Sequence, residues 1–285
     1  MKRMLLSLSL LALLCGCSSA PAEPTPLPAA TPSPTPVPES PPPTGTPEPL
    51  WWDVSPEELP ATPATAAEAA AGGEDFYLLA QLPEQDIALY GRGPGAEGCT
   101  GVLLRRGEVL TPFEQRYLPP SEPALPEVRW IDLDGDGGEE LAVKYMLENH
   151  TGRHVFQLWV YEPQADGGWT ACGLTEEEVD GLLAGQVDFR YDPASRTVTA
   201  SLPRSSASLL LSGQDATPQD GYPLCFLDRV FYRYEDGQYT GVYGVGVLLK
   251  GTEAPRYFAT VTARVVYDGA GFQLTDLSLT ETGGV

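Results

Sequence analysis

Residues 130–143 read WIDLDGDGGEELAV, a short acidic segment between two apolar runs. Its aspartates alternate with other residues, so a tightly turning backbone can point three carboxylates to one side. Glycines follow the second and third aspartates, and glycine adopts positive φ without a Cβ penalty. Calcium takes about six to eight oxygen ligands, and the spacing therefore predicts a calcium site. The predicted ligands are Asp132, Asp134, Asp136, a backbone carbonyl near Gly138, and Glu140.

An EF-hand and an ion-free turn share features with this segment. An EF-hand begins with the same alternation of aspartates but requires a bidentate glutamate at its twelfth position, where this chain has Val143. The apolar runs on either side also have the character of strands rather than helices, which excludes an EF-hand. An Asp/Gly turn that joins two strands and binds no ion remains the alternative.

The D-x-D-G-D-G-x-x-E pattern of Asp132 to Leu141 resembles the calcium loops of FG-GAP/VCBS-type repeats. It is also similar to the single DLDGDG-x-E-E-L segment of many uncharacterised lipoproteins of Gram-positive bacteria, and that similarity extends loosely over the globular part. The chain has one copy, whereas repeat folds need several units to bury a continuous core. The resemblance therefore implies a single calcium loop, without a propeller.

The N-terminus has the pattern of a bacterial export signal. Lys2 and Arg3 precede an apolar run over 4–14, which is too short to span a bilayer. The following Leu-Cys-Gly-Cys resembles a lipobox, which implies cleavage after Gly16 and a lipid on Cys17. We therefore expect a signal peptide over 1–16 and an exported protein anchored through Cys17 to the outer face of the cytoplasmic membrane. The alternative is an ordinary secretory leader that is cut a few residues later.

Residues 17–73 are predicted to be a disordered, proline-rich linker. Sixteen of the 29 prolines lie between Pro21 and Pro63. Such a segment buries too little apolar surface to offset the entropy of ordering, and it favours extended polyproline II conformers. Within it, Ser55 followed by Pro56 and two glutamates is a plausible helix start.

The globular part is predicted to span 74–285, with a possible sub-boundary near 203–220. Short apolar runs separated by Gly, Pro and Asp predict a mainly β domain of antiparallel sheets, with a meander over the last third. Thr175 and Glu178 form a capping-box pattern before the one predicted helix, which Gly185 ends. The glycine-rich segment 91–95 is predicted to be a turn.

The net charge of −22 argues against nucleic acid as a partner. The cysteines beyond the leader are Cys99, Cys172 and Cys225, so at most one internal disulfide can form, and free buried thiols are favoured. His150 and His154 are four residues apart, with Glu148 as a potential third metal ligand. The H-E-x-x-H glutamate is missing, however, and solvated loop histidines are favoured.

No catalytic residue can be assigned, because neither a G-x-S-x-G nor an S-x-x-K motif surrounds Ser205, Ser206 or Ser208. The sequence favours a calcium-stabilised binding or accessory module of the cell envelope, with an envelope protein or a glycan as partner. A surface hydrolase that acts on glycans or peptides is the alternative, since paired carboxylates can act as acid and base in glycoside hydrolysis.

Overall fold

The computed structural model describes residues 50–95, 98–119, 122–212, 217–221, 224–226 and 228–282. The predicted signal peptide, Cys17 and the predicted linker up to residue 49 lie outside the described residues. No helix in the described part of the chain is long and apolar enough to cross a membrane.

The described chain is mainly β, which confirms the predicted fold class. There are two α-helices, α1 (Ala66–Ala71) and α2 (Glu176–Ala184), and two short 3-10 turns at Pro56–Glu58 and Pro83–Gln85. The strands are β1 (Phe76–Leu82), β2 (Ile87–Arg92), β3 (Thr100–Arg106), β4 (Val109–Arg116), β5 (Glu127–Ile131), β6 (Glu140–His150), β7 (Arg153–Pro163), β8 (Trp169–Leu174), β9 (Asp188–Asp192), β10 (Thr197–Leu202), β11 (Ser205–Leu210), β12 (Leu224–Cys225), β13 (Arg229–Glu235), β14 (Gln238–Val247), β15 (Arg256–Tyr267) and β16 (Phe272–Glu281).

The strands form three sheets. The first has the order β1-β2-β3-β4, and a three-stranded sheet has the order β11-β10-β9. The largest has the order β16-β15-β14-β13-β7-β6-β5, with β8 beside β7 and β12 beside β14. The predicted meander of the last third is present as β13 to β16. One pairing is parallel, between β7 and β13 over two residue pairs, so the largest sheet is mixed rather than purely antiparallel.

Packed structure begins earlier than the predicted boundary at residue 73. From Leu50 onward the chain belongs to one compact unit, which also runs through the suggested sub-boundary near 203–220. Leu59 and Ala69 are buried, and the Trp51 ring lies 6.3 Å from that of Phe76. The apolar side chains among the last prolines supply buried surface that offsets the entropy of ordering. The described part of the predicted linker, from residue 50 onward, therefore contains packed structure.

Strand β6 follows the acidic loop and runs into the core. Leu141, Val143, Tyr145 and Leu147 alternate along it and are all buried, as the period-two pattern predicts. Ala142 on the opposite face is also buried, so this part of β6 is covered on both sides. Because this part of β6 is covered on both faces, it holds the C-terminal end of the acidic loop in a fixed position.

Cys99 and Cys172 are free thiols. Cys99 is buried, as expected for a cysteine that packs as a small apolar residue. Cys172 and Cys225 are only partly buried, which differs from the expectation of fully buried thiols.

Candidate metal centre

The acidic segment is the connection of a β-hairpin. Strands β5 and β6 pair antiparallel, with Trp130 opposite Leu141 and Ile131 opposite Glu140. The last pair places Glu140 at the base of the loop, while residues 132–139 form the connection. Two regular strands thus fix both ends of the predicted ligand set.

The three aspartates converge as predicted. One carboxylate oxygen from each of Asp132, Asp134 and Asp136 lies within 4.8 Å of the others. Gly135 and Gly137 have φ of 80° and 92°, which turns the backbone around the cluster at little steric cost.

Backbone amides of the loop hold the aspartate side chains in place. Asp132 accepts hydrogen bonds from the Gly135 and Gly137 amides at 2.8 and 3.2 Å. Asp134 accepts one from the Asp136 amide at 3.0 Å, and Asp136 accepts one from the Gly138 amide at 2.6 Å. The same loop therefore supplies the carboxylates and orients them, and Gly138 contributes its amide to this network.

Glu140 lies deeper than the aspartates. It is 5% exposed, and its Oε2 accepts a hydrogen bond from the Leu133 amide at 2.8 Å. Burial raises the pKa of this carboxyl, and the negative charges of Asp134, Asp132 and Asp136 raise it further, while the Leu133 hydrogen bond opposes the shift. Glu140 does not belong to the group of oxygens within 4.8 Å.

The three clustered aspartates, with Glu140 beside them, offer oxygen donors that suit a hard cation. Among the described residues, no lysine, arginine or histidine forms a salt bridge with any of them. Like charges at this spacing repel, and a buried carboxylate is costly without a positive partner. Oxygen ligands around a flexible loop are the donor set that calcium prefers.

A contact that the sequence did not reveal joins this loop to the turn between β15 and β16. A Cβ atom added at Gly269 would lie 2.9 Å from Asp134 Oδ2, so the glycine lets this carboxylate approach the turn closely without having to shift. Gly269 has a φ of 80°, and its neighbour Ala270 accepts a hydrogen bond from the Cys172 thiol on β8 at 4.0 Å. The Asp-Gly pattern predicts a turn at this place but carries no information about its long-range neighbour.

The second group of potential metal ligands is not brought together. His150 Nε2 lies 3.2 Å from a Glu148 oxygen, but the His154 ring stacks on Phe231 with centroids 6.1 Å apart. Glu148 also pairs with Arg153 at 2.9 Å. In the part of the chain that the structure describes, the aspartate cluster is the only group of three or more such side chains within ligand distance.

The carboxylates nearest to Arg153 form an ion-pair network. Its Nε lies 2.9 Å from Glu148 and 3.3 Å from Asp228, and its Nη2 lies 3.8 Å from Glu176. Burial raises the pKa of Glu176, and Arg153 opposes that shift. These contacts are those of a structural network around one guanidinium.

The acidic loop is thus the part of the described chain whose geometry is best suited to holding an ion. Comparison with protein-family models, with curated proteins and with solved structures finds no match for this chain.

Proposed function

We propose that the protein is an exported lipoprotein whose β domain is stabilised by one calcium ion and serves as a binding or accessory module at the outer face of the cytoplasmic membrane. The observation that carries the calcium assignment is the convergence of three aspartates within 4.8 Å, beside the buried Glu140. The lipid anchor rests on the N-terminal pattern around Cys17.

Calcium would have a structural role. Asp132, Asp134, Asp136, Glu140 and the carbonyl near Gly138 would hold the ion, which would neutralise the mutual repulsion of the carboxylates. The same ion would also stabilise the contact between Asp134 and the β15–β16 turn at Gly269. We expect an affinity on the order of 10⁻⁴–10⁻³ M, which is typical of extracellular calcium modules.

Calcium is expected to raise the thermal stability of the wild type but not of Asp134→Ala. At about 10 mM calcium, such an affinity corresponds to a gain of about 1–3 kcal/mol in the free energy of unfolding. The measurement is Tm by circular dichroism in EDTA and in calcium. Asp166→Ala is the matched control, because Asp166 also caps a loop by accepting the Gly168 amide at 2.9 Å but is not part of the cluster. Equal calcium responses in wild type and Asp134→Ala would refute the site.

Cys17→Ala is expected to release the protein from the membrane fraction. Diacylglycerol on this sulfur supplies two acyl chains, and two chains give stable attachment where one is marginal. The measurement is fractionation of bacteria that express each form. Cys15→Ala is the control and should stay with the membrane, because the lipobox resemblance places the lipid on Cys17 alone. Membrane retention of Cys17→Ala would contradict the anchor.

A further inference from the structure

A pocket lies between β4, at the edge of the first sheet, and β7 of the largest sheet. Gln115 and Arg116 of β4 line it, together with Gln157 and Trp159 of β7, and none of the predicted calcium ligands does. Its volume of about 370 Å³ lies within the range of about 300–1,000 Å³ that is typical of small-molecule sites. The pocket therefore has room for a small ligand or for one unit of a polymer.

Trp159 forms an ordered apolar surface in this pocket. A Cβ atom added to Gly173, its partner on β8, would lie 2.6 Å from the indole, so the ring lies directly on the backbone there. The indole Nε1 donates a hydrogen bond to Gln157 Oε1 at 3.1 Å. The side chain is half-buried and lines the pocket. Because the ring is already fixed, a ligand that stacks on it orders little further structure.

Gln115 supplies a buried amide group with an unused donor. It is 7% exposed, and its Oε1 accepts a hydrogen bond from the Tyr161 hydroxyl, which itself accepts one from Tyr145 at 2.8 Å. Among the described residues, none accepts a hydrogen bond from Gln115 Nε2. This nitrogen is not sealed in the interior, and the residue lines the pocket. Leaving such a donor unpaired is costly, so a ligand oxygen that accepts from it would be favoured.

The other polar groups of the pocket include donors and an acceptor. Gln157 uses its oxygen for Trp159 and keeps its amide hydrogens for a ligand. Glu114 accepts from Trp51 Nε1 at 2.7 Å with one oxygen, which leaves the other as an acceptor. Arg116 is exposed and forms no salt bridge with any described residue. Opposite charges this close disfavour a strongly anionic or cationic ligand, whereas hydroxyl groups can both donate and accept.

We propose that this pocket binds a neutral pyranose unit of a glycan. The C–H groups on one face of the sugar ring would stack on Trp159. Its hydroxyl oxygens would accept hydrogen bonds from Gln115 and Arg116, and a hydroxyl would donate to Glu114. A peptide backbone offers hydrogen-bonding groups as well, but it has no flat apolar face surrounded by hydroxyls. This inference rests on the proposed binding role, for which it names a class of ligand, and it does not depend on calcium.

The test measures the binding of two neutral sugars, the β-1,4-linked tetramers of N-acetylglucosamine and of glucose, by isothermal titration calorimetry. Trp159→Ala is expected to bind roughly tenfold more weakly than the wild type, because about 50–60 Å² of stacked apolar surface is lost. Trp130→Ala is the matched control. Trp130 is also a half-buried tryptophan on a strand, but it does not line the pocket, so this variant should bind like the wild type.

Arg116→Ala is a second variant that leaves the core intact, since this side chain is exposed. We expect it to bind about three- to tenfold more weakly, because hydrogen bonds from a charged donor to the sugar are lost. Arg233→Ala is its matched control. Arg233 is an exposed arginine on β13 that does not line the pocket, and its removal should leave the affinity unchanged.

N-acetylated tetraserine amide tests a polar peptide as the ligand, and we expect it to bind more weakly than the sugars. The proposal is overturned if the wild type binds neither sugar tetramer, or if tetraserine binds more tightly than both. It is also overturned if Trp159→Ala and Trp130→Ala have the same affinity, or if Arg116→Ala and Arg233→Ala do. Asp134→Ala is expected to retain sugar binding, and Trp159→Ala is expected to retain the calcium response, so the two proposals fail separately.

Discussion

Gly91→Ala is expected to lower the free energy of unfolding by about 3 kcal/mol, near the upper end for forced overpacking of a core. Gly91 lies in β2 between β1 and β3. A Cβ atom there would lie 2.5 Å from the Tyr117 ring and 2.9 Å from Leu79. Tyr117 is fully buried, and its hydroxyl donates a hydrogen bond to the Arg92 carbonyl, so the ring cannot move aside without losing that bond.

The measurement for Gly91→Ala is urea unfolding, with the slope m compared to detect any change in the unfolded state. Gly181→Ala is the matched control. Gly181 lies on the exposed side of α2, and an added Cβ would have no neighbour within 4 Å. Alanine in a helix interior is favoured over glycine by about 0.5–1 kcal/mol, so this control should be stabilised. Unchanged stability of Gly91→Ala would show that the sheet relaxes around the added methyl group.

Glu140→Gln is expected to have opposite effects in EDTA and in calcium. Without a cation, the ionised Glu140 is buried beside three aspartates, and glutamine removes that charge while keeping an oxygen for the Leu133 amide. The variant should therefore melt above the wild type in EDTA. In calcium, the free energy of unfolding of the wild type rises by about 1–3 kcal/mol. The variant largely lacks this gain, so the wild type should then melt above the variant.

The pH dependence of the calcium-free protein gives a second measurement on Glu140. Its pKa is raised in the folded state, so folding favours the protonated form. The contribution of this group to stability is therefore greatest below the pKa of the unfolded chain and is lost as pH rises through the folded pKa. In Glu140→Gln, the free energy of unfolding should therefore fall less steeply as the pH rises.

Glu139→Gln is the matched control for these measurements. Glu139 is the preceding residue and is exposed, so the change in charge is the same but no buried carboxylate is removed. It should keep both the calcium response and the pH dependence of the wild type. If Glu140→Gln melts above the wild type both in EDTA and in calcium, Glu140 does not help to hold the ion.

The strand pattern could be predicted from the sequence because its signals are local. Alternation in β6 predicts the correct buried face, and Thr175 with Glu178 forms the predicted capping box at the start of α2. Segment 91–95 differs from its prediction. A turn is wrong for Gly91 and Arg92, which lie in β2. Gly91 is required there by a close approach of Tyr117, a residue distant in sequence, and not by turn geometry.

The packing of residues 50–73 differs from the sequence prediction for a related reason. Proline content predicts an extended chain, and prolines do continue to Pro63. This segment is held by burial of Leu59 and Ala69, by the contacts of Trp51 with Phe76 and Glu114, and by a bridge from Pro63 to β1. Whether a few apolar residues can offset the entropy of ordering depends on the surface that receives them.

The sequence by itself determined the acidic loop. Alternating aspartates and positive-φ glycines act over a few residues, so their spacing fixes which carboxylates can converge. Only the tertiary structure decided that Asp134 meets Gly269, and that a pocket forms between β4 and β7. β5 and β16 stand at opposite ends of the strand order, and contacts between the connections next to them depend on how the whole sheet twists and closes. That curvature is a property of all the strand pairings together and is encoded in no single segment.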